Sequence, residues 1–168
     1  MERLLREPSP ALLARASREA WDEHRRRLGA LGVVTNELHP ESGRALFRRF
    51  ASDFFEPDRA AELFGQPDLP RDHLDYERWT RPECTEKTRA AGSLVWLRAG
   101  HVGARCVRFD RRAGLPVLEM EIASLEDDWA ASWAGAFVNF DGARALVVSV
   151  DYEAFRCDLR GLRASPYR

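Results

Sequence analysis

The sequence predicts an α+β fold: N-terminal helices packed on an antiparallel sheet of about five or six strands, with one helix inserted among the strands. Three observations carry the prediction. Up to about residue 92, apolar residues recur three and four apart, the period of a helix with one buried face. From Ser93 onward they alternate, the period of a pleated strand. The alternating runs are short and separated by Gly- and Asp-containing segments of turn composition.

Ser9-Pro10 supplies a helix start, with Ser as cap and Pro where no amide hydrogen is needed. Leu13, Ala16, Ala20, His24 and Leu28 then mark one face of a helix over about residues 10–30, ended by Gly29 and Gly32. Residues 33–41 read as a short extended piece or loop. Leu46, Phe47, Phe50, Phe54 and Phe55 form an aromatic stripe on a second helix over 42–55, broken by Pro57. That spacing is expected of packing into a core. Asp58 caps a short helix to Leu63-Phe64, stopped by Gly65, and Asp68-Leu69-Pro70 opens a helical turn running to Trp79. Residues 80–92 read as a polar connecting loop.

In the alternating half, 93–97 (Ser-Leu-Val-Trp-Leu) reads as a strand buried on both faces, and 102–109 as a second strand. Val117 to Ile122 is a third, with Leu118, Met120 and Ile122 inward and Glu119 and Glu121 on the solvent side. Ser124 opens the inserted helix, with Glu126, Asp127 and Asp128 in its first turn, where they suit the dipole. Gly135 stops it. Strands follow over 136–140, 145–150 and 155–160, the first two joined by an Asp141-Gly142 hairpin. Residues 161–168 read as a loose tail. No repeat or linker divides the chain, so 1–168 is expected to be one globular domain, with a helical half over 1–92 and a mainly strand half over 93–160.

The 168 residues bear 26 Lys plus Arg and 27 Asp plus Glu, a net charge of −1, and the two halves are each balanced. The basic footprint of a dedicated nucleic-acid binder is missing, so a nucleic-acid partner is not expected. Lys87 is the only lysine. The arginine bias is expected from a GC-rich, bacterial coding sequence. Three cysteines (Cys84, Cys106, Cys157), with no close pair, suit a reducing compartment. The N-terminus has no apolar signal core, and no run reaches the ~18 apolar residues of a membrane span. The expectation is a cytoplasmic protein without a membrane partner.

No motif specifies a reaction. The histidines (His24, His39, His73, His101) are scattered and the cysteines lack knuckle spacing, so no metal is expected. Phosphate-cradling glycine loops and a Gly-x-Ser-x-Gly elbow are absent, and no cofactor is expected. Cys106 and Cys157 fall inside strands as buried groups. Cys84, in the loop, is the one expected to react readily. His24 reads as a hydrogen-bonded residue at the core edge. His101, between glycines at a turn, could pair with Glu119 or Asp110 in acid/base work. Glu119 and Glu121 admit an acid/base or magnesium reading, but a solvated strand face is the simpler one.

These features lean away from an enzyme and towards a small partner-binding protein without catalytic activity, such as a toxin-neutralising immunity protein or inhibitor. Carboxylates in such proteins fill a basic cleft and speed encounter. The candidate contacts are Glu119, Glu121, Asp127 and Asp128, with an exposed Trp79 as anchor. The alternative is a small-molecule-binding domain or small enzyme, with a pocket between sheet and helices lined by Phe50, Phe54, Trp96 and Trp133 and with His101, His73 and Glu119 as polar groups. A transcription regulator would use Arg44, Arg48 and Arg49 as a recognition surface, but the aromatic stripe on the same helix implies burial.

Overall fold

The structure, a computed structural model, describes residues 10–65, 75–89, 92–98, 105–111, 116–121, 134–149 and 151–160. Its centre is a seven-stranded, wholly antiparallel sheet: β1 (Thr35–Glu37), β2 (Thr85–Thr88), β3 (Arg105–Asp110), β4 (Leu118–Glu121), β5 (Gly135–Asn139), β6 (Arg144–Val148) and β7 (Ala154–Asp158). The order across the sheet is β1-β4-β3-β5-β6-β7-β2. Helices α1 (Pro10–Ala30), α2 (Pro40–Phe54), α3 (Pro57–Gly65), α4 (Tyr76–Trp79) and α5 (Ser93–Leu97) complete the described elements, with one 3-10 turn at Pro82–Cys84. The class is α+β, with seven strands where five or six were expected. The helix expected after Ser124 lies outside the described residues, as does the 161–168 tail.

The helices cover both faces of the sheet, not one. On the first face, α2, α3 and α4 bring Phe47, Phe50, Phe54, Phe55, Ala60, Leu63 and Tyr76 onto Val107, Phe109, Ala136, Val138, Ala145, Val147 and Cys157. On the second, α1 and α5 bring Trp21, Leu28, Leu94 and Leu97 onto Cys106, Leu118, Met120, Phe137, Leu146, Val148 and Ala154. The central strands β5 and β6 are therefore buried on both sides, and their run of small and branched apolar residues follows from that.

The aromatic stripe of α2 is core, as the sequence predicts. Phe50 stacks on Phe109 with ring centroids 5.2 Å apart and 6° between planes, and it meets Phe55 edge-on at 4.9 Å. These offset and edge contacts add to the area each ring buries. Among the described side chains of α1 the buried ones are Trp21, His24 and Leu28, while Ala16 and Ala20 are exposed. The side chains of Leu12, Leu13, Ala14 and Ser17 lie outside the described set. His24 is wholly buried, inside the core and not at its edge. The Arg25–Glu37 ion pair, at 2.8 Å, ties α1 to the edge strand β1.

Three local readings are corrected. Residues 93–97 form a helical turn: Leu94 and Leu97 are buried three apart while Val95 is exposed, and Ser93 Oγ donates to Arg89 O at 2.5 Å. A five-residue apolar run carries too few positions to separate the two periods. The polar segment 85–88, read as loop, is an edge strand whose pairing comes wholly from β7. Between β5 and β6 the turn spans four residues, 140–143, where a two-residue hairpin was expected. Ala143 takes the left-handed conformation (φ 52°), and Asn139 Oδ1 accepts from Gly142 N at 3.0 Å. Gly135 sits where β5 crosses β3: a Cβ there would lie 2.4 Å from Phe109 O, at φ 152°. No side chain fits that approach.

One row of register crosses the whole sheet on the α1 face: Glu37, Leu118, Arg108, Phe137, Leu146, Arg156, Glu86. Arg108, third in this row, has no exposed surface. It pairs with Asp110 at 3.3 Å, and its Cζ lies 4.9 Å from the Trp21 ring centroid and 5.7 Å from that of Phe137. Replacing Arg108 by Met takes the guanidinium away from the buried Asp110 carboxylate and is expected to cost about 3–5 kcal/mol. The double variant Arg108→Met/Asp110→Asn is expected to lose less than the sum of the two single changes. Urea unfolding of the four proteins reads this coupling directly.

Candidate functional site

Two energetically costly features meet at one end of the sheet. The first is the turn between β6 and β7. Ser149 N donates to Glu153 O (2.9 Å), and Tyr152 N donates to Ser149 O (3.0 Å). Ser149 Oγ accepts from the amides of Asp151 (3.3 Å) and Glu153 (3.2 Å). These bonds hold Tyr152 at φ 62°, the left-handed region, with the residue 62% exposed. An aromatic residue there costs about 1–3 kcal/mol and persists only where its surroundings over-determine it. Lys87 Nζ meets Glu153 Oε1 at 2.5 Å and ties the turn to the edge strand β2.

The second feature is a like-charge cluster. Glu77, on α4, is half-buried, and burial pushes its carboxyl above the ordinary range. Asp75 and Asp151 push it the same way, while Arg78 opposes them. α4 is fixed beneath by Tyr76, whose hydroxyl donates to Asp110 O at 2.7 Å inside the core. Asp151 and Glu153 thus flank an exposed tyrosine in the chain, and the charge of Asp151 reaches Glu77 on α4.

The residues that the sequence singled out fall elsewhere. Glu119 and Glu121 lie on β4, separated from β6 by β3 and β5. They share the face of α2, not an open face of the sheet. Glu119 is half-buried and holds Arg105 at 2.7 Å; Glu121 is exposed opposite Arg105 in the register. Trp79 is half-buried, edge-on to Phe55 (5.7 Å) and Tyr76 (6.2 Å), so it is not the exposed anchor that was expected. Asp127, Asp128, His73 and His101 lie outside the described residues. The supposed pocket does not form from its described members: Phe50 and Phe54 pack on one face of the sheet and Trp96 on the other; Trp133 is outside the described residues. Arg44, Arg48 and Arg49 are exposed on α2, with Arg49 Cζ 4.5 Å from the Phe140 ring centroid. His39, another scattered histidine, caps α2: its Nδ1 accepts from Glu41 N at 3.3 Å.

The sequence pattern does not mark Tyr152, because it belongs to neither alternating run. The available signal is its position: the runs over 145–150 and 155–160 leave 151–154 between them, and a large aromatic side chain inside a turn has no core to fill.

The cysteines behave differently from expectation at one position. Cys106 and Cys157 are buried, and burial pushes each thiol up to about 12. Cys84 is half-buried with its Sγ 3.3 Å from Arg81 O, and burial raises its thiol above the ordinary value too. It is not an activated nucleophile. Among the described residues no group of His, Cys, Asp and Glu could hold a metal ion, and no helix is long and apolar enough to cross a membrane. A shallow open concavity of about 350 Å³ is lined by Asp22, Arg25, Arg26 and Thr35.

Comparison with protein-family models, with characterised proteins and with solved structures finds no match for this chain.

Two outcomes follow from these titrations. Cys106 and Cys157 keep their protons in the fold after the unfolded chain has released them near 9.0. Stability is therefore full below about pH 9 and falls as pH rises towards 12, by about 1.4 kcal/mol per pH unit for each thiol. Cys106→Ala is expected to flatten that slope in unfolding measured across pH 8–10. Glu77 has its folded pKa raised, so its proton stabilises the fold at low pH and the benefit disappears once the group ionises. Glu77→Gln is expected to be more stable than the native chain at pH 7, and the gap should close at pH 4, as read by thermal melts.

Proposed function

We propose that this chain is a partner-binding protein that presents the β6–β7 turn and α4 to a basic surface on another protein. The observation that carries the reading is Tyr152, exposed and held left-handed by its own turn, with Asp151 and Glu153 on either side. Asp151 also raises the proton affinity of Glu77, so strain and like-charge repulsion fall on the same few residues. Both are costs to the isolated fold, and costs of this kind gather where a surface is shaped for something else. A tyrosine offers a large, rigid contact area with little conformational entropy to lose, and surrounding carboxylates favour a cationic partner and speed encounter.

A toxin-neutralising immunity protein or inhibitor of a bacterial cytoplasm is the specific form of this reading. In it, Tyr152 inserts into the partner's cleft and the carboxylates face its arginines and lysines. The partner supplies the positive charge that Glu77, Asp75 and Asp151 lack. Glu119 and Glu121 then serve as a separate, peripheral contact, with Glu119 already engaged by Arg105.

The test is affinity purification of the full chain from the cells that encode it, followed by titration of the recovered partner. Tyr152→Ala is expected to weaken binding by about 30-fold, the loss of a ~2 kcal/mol hot spot. Asp151→Lys should slow association, most strongly at low salt. Glu121→Gln serves as the comparison outside the site. Partner recovery and affinity unchanged in Tyr152→Ala, with the fold intact by circular dichroism, would remove the β6–β7 turn from the interface and the reading with it.

A further inference from the structure

The opposite end of the β6–β7 hairpin is built from arginine. Arg144 Nε donates to Asp158 at 3.0 Å and its Nη1 to Trp96 O at 2.6 Å. Arg160 Nε also turns to Asp158, at 3.4 Å. Asp158 is thus shared by two guanidiniums. Arg156, one register step along β7, lies with its Cζ 5.2 Å from the Trp96 ring centroid, and Arg144 Cζ lies 4.8 Å from the same centroid. The two cations are therefore within about 10 Å of each other. The Arg156 Nε is buried and has no hydrogen-bond acceptor. Glu86 stands opposite Arg156 across β7 and β2. It is exposed, and no ion pair joins the two among the described residues.

We propose that Arg156, backed by Trp96 and reinforced by Arg144, is a recognition site for an oxyanion, either a phosphate or a carboxylate group. A guanidinium is a planar fork that matches two oxygens at once, and a ring beneath it fixes its plane and excludes water from one side. Arg144 cannot take the anion itself with the nitrogens already engaged, but its charge adds to the attraction. Gly92, at φ 78°, passes beside the fork without a side chain; a Cβ there would lie 3.9 Å from Arg156 Nη2. The chain's net charge is −1, so an anion is drawn to this place by the local guanidiniums and not by a general positive field. The site is separate from the acidic turn and does not depend on the function proposed for it.

The full chain is titrated at low ionic strength with inorganic phosphate and, separately, with acetate, with chloride as the ionic-strength control. The readouts are the NMR signals of the Arg156 Nε–Hε and of the Trp96 indole N–H beneath it, the second of which is present in every variant. A saturable shift with one titrant and not with chloride is expected, and which titrant produces it identifies the oxyanion. Glu86→Gln, which removes the carboxylate opposite Arg156 in the register, should bind about threefold more tightly. Arg156→Gln should abolish the response while its unfolding midpoint remains cooperative. Arg156→Lys, which keeps the charge and loses the fork, should bind about tenfold more weakly and covers the case in which the Gln variant does not fold. An Arg156 signal unmoved by both anions, a linear drift shared by the other arginines, or equal binding by Arg156→Lys would overturn the proposal.

Discussion

A guanidinium at the centre of the sheet constrains most of what surrounds it. Arg108 occupies a position that the register fills on either side with Leu118 and Phe137, and it has no exposed surface. Removing such a charge from water is expensive unless its surroundings return the lost interactions. Asp110 supplies the counter-charge from two positions along the same strand, and the Trp21 ring supplies a π-face from α1. This assigns α1 its place: the helix must lie where Trp21 reaches Arg108, with His24 beside it, ring centroids 5.5 Å apart. Asp110 is held in turn from the other layer, because its carbonyl accepts from the Tyr76 hydroxyl. One buried ion pair thereby links α1, β3 and α4, and so couples the two faces of the sheet. An apolar side chain at position 108 would fill space equally well but would leave that relation unspecified.

The coupling explains how a four-residue helix can serve as a support. α4 is too short to be stable by itself. Tyr76 anchors it through the core, and Trp79 wedges against Phe55 and Tyr76. Glu56 N donates to Trp79 O and Arg81 N to Phe54 O, which joins its far end to the end of α2. With the backbone fixed from three sides, Glu77 stays near Asp151 although both are acidic. Repulsion that would move a loose loop apart is borne here by packing. The same holds for Tyr152, where four hydrogen bonds within 149–153 outweigh an unfavourable backbone angle.

Much of the fold was legible because it follows from period and composition. The helices around Leu28 and around Phe47–Phe55 and the strands from Arg105 to Asp158 each declare themselves by long runs. Where the reading failed, the run was short or its environment was set from far away. Leu94 to Leu97 is compatible with either period, and only docking on β6 selects the helix. Thr85 to Thr88 is polar on both faces because it lies at an edge, so it has no alternation to read. The arrangement of helices on both faces depends on Arg108 and Trp21, which are 87 positions apart and share no pattern. The candidate site was less legible still. Glu119 and Glu121 are visible because alternation marks them. Tyr152 matters through a backbone angle, and Glu77 through a neighbour 74 positions away.

Charge illustrates the same limit with more consequence. Counted along the sequence, acids and bases cancel in each half, and the natural inference is a surface without strong character. The β6–β7 hairpin shows why that inference does not transfer to space. Its turn carries Asp151 and Glu153, and the charge of Asp151 reaches Glu77. Its opposite end carries Arg144 and Arg160 on Asp158, with Arg156 at the midpoint of β7. An antiparallel pair folds residues near its turn to one end and residues at its termini to the other. A sequence that places acids in the middle of the hairpin and arginines at its flanks therefore becomes a ribbon with opposite ends of opposite sign. At physiological salt such fields fade over about 8 Å, so each end presents its own charge to whatever approaches it. The net value of −1 governs neither.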